Sequence, residues 1–216
     1  MTHINNNISY LTYLFLILLL SCSSGQEKKL PQEPIYCDIL ISNGTIYDGS
    51  GSKPYVGSLA IQDDKIIYVG VNTDFQADTV IDATGLAVSP GFINMLSWGY
   101  NTLMDDGRAL SDLKQGVTLQ IFGEGTSPGP YWKDGKFTSF GEAMTMLEEK
   151  GVSVNIASFL GAATTRILEV GYKNRQATPS EMERMRGHVE NSMKEGAMGI
   201  GSSLIYAPGD YASTEE

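Results

Sequence analysis

The stretch PGFINMLSW, from Pro90 to Trp98, marks the point at which the chain changes its pattern. Before it, short apolar runs separated by turn signals predict a small β unit over residues 38–89. From Pro90 onward, nearly continuous apolar strands alternate with amphipathic helices, which favours a parallel sheet covered by helices. The sequence therefore predicts an α/β fold in which a β part precedes an α/β part.

The part that begins at Pro90 repeats strand and helix. The helix that starts at Thr178, Pro179 and Glu181 has the pattern of a capping box. Four strands of this kind make about half of a (β/α)8 barrel, which takes about 250 residues in full. An open, doubly wound sheet is the alternative. The predicted strands are 91–96, 117–122, 152–160 and 198–201, and the predicted helices are 108–115, 140–150 and 178–196.

Two turn signals shape the predicted β unit. Asn43-Gly44 lies between apolar runs and predicts a hairpin, because both central residues of a type I′ turn need a positive φ. Asp63-Asp64 separates Ser58–Gln62 from Ile66–Gly70 and predicts a second hairpin. A short strand at Thr79–Ala83 completes a unit that we expect to be antiparallel.

The N-terminal segment differs from the rest of the chain. Leu11–Leu20 is almost purely apolar, but about ten helical residues rise only about 15 Å, half of a hydrocarbon core of about 30 Å. This length suits a signal peptide, and the following Ser21-Cys22 completes a sequence that resembles a lipobox. We therefore expect a lipoprotein signal peptide at 1–22 with lipidation of Cys22, a tether at 23–37, and export to the cell envelope, membrane-anchored or periplasmic. A plain signal peptide is the alternative.

Composition excludes several classes of function. The 216 residues are 42% hydrophobic and carry a formal net charge of −10 without a basic cluster, which argues against nucleic acid as a partner. Gly123–Pro130 is glycine-rich but lacks the Lys-Ser/Thr of a phosphate-binding loop. The chain also has neither a GxSxG elbow nor a histidine available for a triad. A lipidated Cys22 would leave Cys37 without an internal disulfide partner.

Five motifs in a fixed order carry a resemblance to a known family. They are Asp82–Ile93, Gln115–Thr118, Ala157–Gly161, Glu195–Gly209 and Tyr211–Glu216. Together they resemble the amidohydrolase superfamily, in its N-acyl-D-amino-acid deacylase (D-aminoacylase) branch. The resemblance implies a small β-sandwich at 38–89 and, at 90–216, an incomplete TIM-like barrel of a metal-dependent hydrolase.

Chemically, the resemblance implies hydrolysis of a C–N bond in an N-acyl amino acid or a related small amide. A divalent metal, with zinc as the expected ion, would acidify a water and polarise the amide carbonyl at the C-terminal mouth of the barrel. Ser203 and Tyr206 correspond to the family's substrate pocket and are candidate substrate-binding residues; a packed tyrosine is the alternative for Tyr206. Arg166 is a candidate bidentate donor to a substrate carboxylate, with an exposed arginine as the alternative.

The chain departs from the family where the metal ligands are expected. Leu96 and Trp98 stand in place of two first-strand histidines, and neither side chain can ligate a cation. Asn94 replaces the family's aspartate. Glu124 follows the second strand, where the deacylases have a cysteine, and is the candidate metal ligand, since zinc accepts either group. His188 lies on a predicted outer helix and is interpreted as a boundary or surface residue.

Two functional predictions follow from this pattern. In the first, the chain is the N-terminal portion of an exported amidohydrolase that has no hydrolase activity by itself and self-associates through exposed barrel edges. In the second, it is a non-catalytic envelope binding protein in which Trp98 fills the pocket or offers a stacking surface.

Overall fold

The computed structural model describes residues 35–71 and 74–216, and within them the chain divides between Val88 and Ser89 into two compact units. The predicted signal peptide, its lipidation site Cys22 and most of the predicted tether lie outside the described residues. Strand β1 begins at Ile35, so the last three residues of the predicted tether belong to a strand. A search of the described residues finds no helix with the length and apolar character needed to cross a membrane.

The first unit is one mixed sheet. Its strands are β1 (Ile35–Ile46), β2 (Tyr55–Gln62), β3 (Lys65–Gly70), β4 (Phe75–Asp82) and β5 (Ala87–Val88). They lie in the order β3-β2-β1-β4, and β5 also pairs with β1. The pairs β1–β2 and β2–β3 are antiparallel, whereas β4 and β5 run parallel to β1. The prediction of an antiparallel unit is therefore wrong for β4 and β5. The described residues of this unit form one sheet instead of the two layers of a sandwich.

The predicted hairpin at Asn43-Gly44 is wrong. Strand β1 continues through these residues, and its pairing with β2 shifts register between Ile41 and Gly44. Asn43 has a positive φ of 61° at this irregularity. The side-chain amide of Asn43 donates a hydrogen bond to Asp82 Oδ1 at 3.0 Å. The second predicted hairpin is confirmed, because Gln62 pairs with Lys65 across a turn in which Asp63 has a φ of 53°.

The second unit alternates parallel strands and helices, as predicted. Strands β6, β7 and β10 form a parallel sheet in the order β10-β7-β6, and β11 pairs in parallel with β12. Its strands are β6 (Phe92–Asn94), β7 (Val117–Phe122), β8 (Tyr131–Lys133), β9 (Lys136–Thr138), β10 (Asn155–Ser158), β11 (Leu160–Gly161) and β12 (Ile200–Gly201). Its helices are α1 (Tyr100–Asp105), α2 (Leu110–Leu113), α3 (Phe140–Lys150), α4 (Ala162–Glu169) and α5 (Pro179–Lys194), with a 3-10 turn at Gly209–Tyr211.

The structure differs from the sequence prediction in several of these elements. The fourth predicted strand pairs over only two residues, in a sheet separate from the other three. The single helix predicted at 108–115 is replaced by the short α2, which begins after Ala109 in a left-handed conformation, and α1 precedes it. The antiparallel hairpin of β8 and β9 and helix α4 were not predicted from the sequence.

Two long helices begin at capping boxes that fix their position. In α3, the Ser139 hydroxyl accepts from the amide of Glu142, whose carboxylate accepts from the amide of Ser139. In α5, Thr178 and Glu181 make the same reciprocal pair, as the sequence predicts. The core of this unit lies under α3, where buried side chains pack together: Leu103, Ala109, Phe122, Leu147 and Val154.

Candidate functional site

The candidate site lies where the strands of the second unit end, the edge at which α/β proteins place their ligands. Three loops meet there, after β6, β7 and β12, and they enclose a cavity of about 670 Å³. The structure brings the predicted residues Glu124, Ser203 and Tyr206 together in this cavity, which we call the Glu124 cavity. It is lined by Leu96, Trp98, Glu124, Gly125, Thr126, Ala163, Tyr172, Ser203, Tyr206 and Ala207.

Glycines allow the strand ends to approach one another closely. A Cβ atom on Gly123, whose φ is 101°, would lie 2.1 Å from the carbonyl oxygen of Phe159. A Cβ atom on Gly201 would lie 2.2 Å from the carbonyl oxygen of Gly123. Contacts this short are not possible for real side chains, so only glycine lets β7 turn at this point. The same turn brings Glu124 to the wall of the cavity.

The Glu124 carboxylate has no partner among the described residues. Its side chain is half-buried, and it makes neither a hydrogen bond nor an ion pair with any part of the chain that the structure describes. The backbone around it is fixed, because the Thr126 amide donates to the Glu124 carbonyl at 2.9 Å. A half-buried carboxylate without a partner on a cavity wall is available to a ligand.

The loop after β6 presents Leu96 and Trp98 to this cavity. The Leu96 amide donates to Asn94 Oδ1 at 3.2 Å, and the Ser97 hydroxyl donates to the buried Gln120 Oε1 at 2.7 Å. These bonds hold the loop and leave Leu96 and Trp98 55% and 60% exposed. The two side chains therefore offer an apolar surface at positions where a metal centre would need imidazoles.

Ser203 and Tyr206 come from the loop after β12. Ser203 is half-buried, and its Cβ lies 3.1 Å from the position a Cβ of Gly125 would take, so this loop packs on the end of β7. Tyr206 is mostly exposed, and its hydroxyl forms no hydrogen bond with the described residues. Tyr206 is thus not a packed core tyrosine, and both residues line the Glu124 cavity.

Arg166 does not join this group. The alternative of an exposed arginine is wrong, because Arg166 is only 1% exposed. Its Nη1 forms an ion pair with Glu216, and its Nη2 donates to the carbonyl oxygens of Lys173 and Arg175 at 3.2 and 2.7 Å. It lines a different cavity, of about 300 Å³, beside Met185. Both terminal nitrogens already bind groups of this chain. The pair of donors that would bind a substrate carboxylate is therefore occupied.

His188 belongs to a charged cluster between α4 and α5. Its Nε2 lies 2.7 Å from Glu169 Oε1, and its ring stacks on Phe137 with centroids 6.0 Å apart. Glu169 also accepts from Arg184. Burial acts to raise the pKa of Glu169, but the hydrogen bonds from Arg184 and His188 hold that pKa below its ordinary value. The ring of His188 does not line the Glu124 cavity.

The donor set does not fit a metal centre. Among the described residues, no group of three or more His, Cys, Asp or Glu side chains is arranged to hold a metal ion. A zinc site needs three or four N, O or S ligands from the protein. The lining of the Glu124 cavity offers one carboxylate, beside the apolar side chains of Leu96 and Trp98.

A second cavity, which sequence reasoning missed, adjoins the first at Trp98. It has a volume of about 640 Å³, and Trp98 and Thr126 line both cavities. The β8–β9 hairpin contributes Tyr131 and Lys133 to its wall. The sequence did contain a signal for this hairpin, because Asp134-Gly135 occupies a two-residue turn with φ values of 51° and 75°.

Comparison with known proteins identifies the family. No family model matches the chain. A D-aminoacylase from Alcaligenes xylosoxydans xylosoxydans is 30% identical over 194 residues, which cover 83% of this chain and 40% of that protein. An N-acyl-D-aspartate deacylase from the same organism is 28% identical over 202 residues, covering 87% of this chain and 41% of that protein.

Solved structures give the same assignment. The crystal structure of a D-aminoacylase described as defining a novel subset of amidohydrolases matches with a TM-score of 0.75 and 27% identity, covering 83% of this chain and 41% of that one. The chain spans about two fifths of the length of the curated relatives it matches. It belongs to the amidohydrolase superfamily, in the branch that contains the D-aminoacylases.

Proposed function

We propose that this chain forms part of the substrate pocket of an amidohydrolase that cleaves the C–N bond of N-acylated amino acids. One observation carries the proposal: Glu124, Ser203 and Tyr206 converge on a single cavity at the carboxyl ends of parallel strands. The relatives named D-aminoacylase and N-acyl-D-aspartate deacylase support the substrate class.

The proposal includes a partial barrel. Strand β7 lies beside β6, β10 lies beside β7, and β12 lies beside β11, which follows β10 directly along the chain. Successive neighbouring parallel strands are the arrangement from which a barrel of this superfamily is built. An open doubly wound sheet would instead reverse its strand order at a switch point.

The side chains divide the work of binding. The hydroxyls of Ser203 and Tyr206 can donate to the carbonyl or carboxylate oxygens of an N-acyl amino acid. The Glu124 carboxylate can accept the amide N–H, and Leu96 and Trp98 cover apolar parts of the ligand. Metal-dependent hydrolysis needs ligands that the described residues lack. The prediction that Glu124 ligates a cation would require further ligands that the described residues do not supply.

Calorimetric titration tests the pocket, and a turnover assay tests the chemistry. N-acetyl-D-leucine should bind the 216-residue chain, and Tyr206→Phe should weaken binding by about tenfold through loss of one hydrogen bond. Tyr47→Phe, at an exposed tyrosine of the first unit, is the matched control and should leave binding unchanged. We expect no hydrolysis with or without zinc. Turnover that a chelator abolishes would contradict this last expectation, and absence of binding would contradict the pocket.

A second candidate function is favoured by one observation. Leu96 and Trp98 present exposed apolar surface where hydrolytic relatives are expected to carry imidazoles, which suits a binding protein that retains the scaffold without the chemistry. The coding sequence downstream of Glu216 discriminates between the two. Histidines on two later strands and an aspartate on an eighth would favour the enzyme, and their absence would favour the binding protein.

We further propose export with lipidation at Cys22, on the apolar run and the lipobox-like sequence before it. The chain expressed in a bacterium should partition into the membrane fraction, and Cys22→Ser should release it because the thiol that carries the lipid is lost. Mass spectrometry of the N-terminal peptide reports the modification directly. An unmodified Cys22 in the mature protein would contradict the lipid anchor.

A further inference from the structure

We infer that the cavity beside the Glu124 cavity binds an aryl acyl group, such as the phenylacetyl group of an N-phenylacetyl amino acid. This inference rests on the proposed function, because it assigns the acyl portion of the same ligand. We call the site the aryl cavity. It is formed by helix α1, the loop after β6, the end of β7 with the loop after it, strand β8 and one residue of α3.

The position of the aryl cavity suits the acyl portion of the ligand. Trp98 and Thr126 line both cavities, so the two spaces adjoin at the indole. A ligand whose amide lies against Glu124 can direct its amino acid along Ser203 and Tyr206 and its acyl group past Trp98. The aryl cavity, at about 640 Å³, has ample room for a single ring.

The walls of the aryl cavity favour a flat ring over a flexible chain. Its apolar lining consists mainly of aromatic rings and thioethers: Trp98, Tyr100, Phe122, Tyr131, Met104 and Met146. Aromatic pairs prefer offset or edge-to-face contacts that add to simple area burial, and thioether sulfur makes favourable contacts with ring edges. A linear acyl chain gains only the free energy of burying its apolar surface, and it loses more rotational freedom than a ring when it binds.

The polar groups around the aryl cavity do not add to this preference. The Tyr100 hydroxyl is buried, and no described residue accepts a hydrogen bond from it. Burial, with the neighbouring Tyr131 phenol, raises the pKa of Tyr100 to about 12. The buried hydroxyl does not open onto the cavity, so Tyr100 contributes its ring to the wall. At the exposed rim, Asp105 and Lys133 carry opposite charges, so the site has no preference for a charged ring.

Affinities of three acylated ligands test the inference. N-phenylacetyl-D-leucine should bind about tenfold more tightly than N-acetyl-D-leucine and more tightly than N-octanoyl-D-leucine. Met146→Glu, at a partly exposed position on α3, should place a charge against the ring and remove the phenylacetyl advantage. It should have little effect on N-acetyl-D-leucine, because Met146 does not line the Glu124 cavity. Met146→Leu, which conserves volume, is the matched control and should keep the advantage. Octanoyl binding as tight as phenylacetyl binding would overturn the aromatic preference.

Phenylacetamide, which lacks the amino acid, separates this inference from the proposed function. If no N-acyl amino acid binds, but phenylacetamide binds the unmodified chain and not Met146→Glu, the proposed function fails and the aryl cavity stands. If phenylacetamide does not bind, or binds Met146→Glu equally well, the aryl cavity is overturned whatever the other ligands do. Circular dichroism and thermal unfolding of each variant establish that it is folded before titration.

Discussion

At the scale of single residues, Arg166 shows how one buried side chain can hold several segments together. From α4 its guanidinium reaches the carbonyls of Lys173 and Arg175 in the following loop and the carboxylate of Glu216. The loop it fixes includes Tyr172, a wall of the Glu124 cavity. The sequence predicted that Arg166 would contact the substrate. In the structure it instead affects the Glu124 cavity by holding a loop that lines it.

Arg166→Ala should destabilise the protein strongly. Removing one partner of a buried ion pair leaves the other charge buried without compensation, which costs about 3–5 kcal/mol. Urea unfolding followed by circular dichroism measures this change in the free energy of unfolding. Arg186→Ala is the control, because the Arg186–Glu183 pair is 69% and 78% exposed and contributes only about 0–1 kcal/mol. Similar losses in the two variants would contradict the assigned role of Arg166.

Tyr100 leads to the opposite expectation. Its hydroxyl is buried and forms no hydrogen bond of ordinary geometry with the described residues, although the Tyr131 phenol lies close enough to help raise its pKa. The folded state therefore bears a desolvation cost that the hydroxyl largely fails to recover. Tyr100→Phe should therefore be as stable as the unmodified protein, or more stable by up to about 1 kcal/mol. The same urea titration measures it. A loss of stability greater than that of Tyr47→Phe, an exposed tyrosine, would indicate a partner for the Tyr100 hydroxyl.

At the scale of elements, the sequence predicted those structures whose signals are local. Strand β7 and helices α3 and α5 were located from hydrophobic periodicity and end signals, and the turn at Asp63 from its two aspartates. Asn43-Gly44 gave the same kind of signal but forms an irregularity within β1 instead. Pairing of β1 with β2, β4 and β5 decided that outcome, and a local turn signal does not report such tertiary contacts.

The start of α5 carries a pH-dependent contribution to stability. The Glu181 carboxylate accepts from both terminal nitrogens of Arg175, at 2.8 and 2.7 Å, and from the Thr178 amide at 2.8 Å. The hydrogen bonds from Arg175, and then those from Thr178, hold the pKa of Glu181 far below its ordinary value. A lowered folded-state pKa means that the stabilisation is complete above the ordinary pKa of about 4.3 and is lost as pH falls below it.

Glu181→Gln should therefore be less stable than the unmodified protein at pH 7, with a difference that narrows as the pH falls from about 4.5 to about 3. Urea unfolding across this pH range gives the two curves. Glu183→Gln changes a largely exposed carboxylate on the same helix and should show little of this effect. A gap between the Glu181→Gln and unmodified curves that stays constant with pH would rule out the ionised carboxylate as its source.

At the scale of the whole molecule, the candidate site was predictable in part. Glu124, Ser203 and Tyr206 could be proposed because each follows a predicted strand, and the ends of parallel strands lie at one edge. The aryl cavity could not, since Tyr100, Tyr131 and Met146 come from elements far apart in sequence that only folding brings together. The burial of Arg166 was equally hidden, because its partner Glu216 is distant along the chain.

Exposed apolar edges predict self-association of the purified chain. Strand β6 lies at the edge of its three-stranded sheet, and its residues Phe92 and Ile93 are 61% and 54% exposed. An unpaired apolar edge of this kind is a template for pairing with a second copy. The net charge of −10 opposes contact between copies at low ionic strength, and salt screens this repulsion with a Debye length near 8 Å at about 0.15 M.

Light scattering coupled to size-exclusion chromatography should therefore show a mass that rises between about 20 mM and about 150 mM salt. Ile93→Lys places a charge on the edge strand and should lower the associated fraction at the higher salt concentration. Leu86→Lys adds the same charge at an exposed turn residue between β4 and β5 and should have a much smaller effect. Equal effects of the two lysines would mean that added charge acts generally, and that β6 is not the surface through which copies meet.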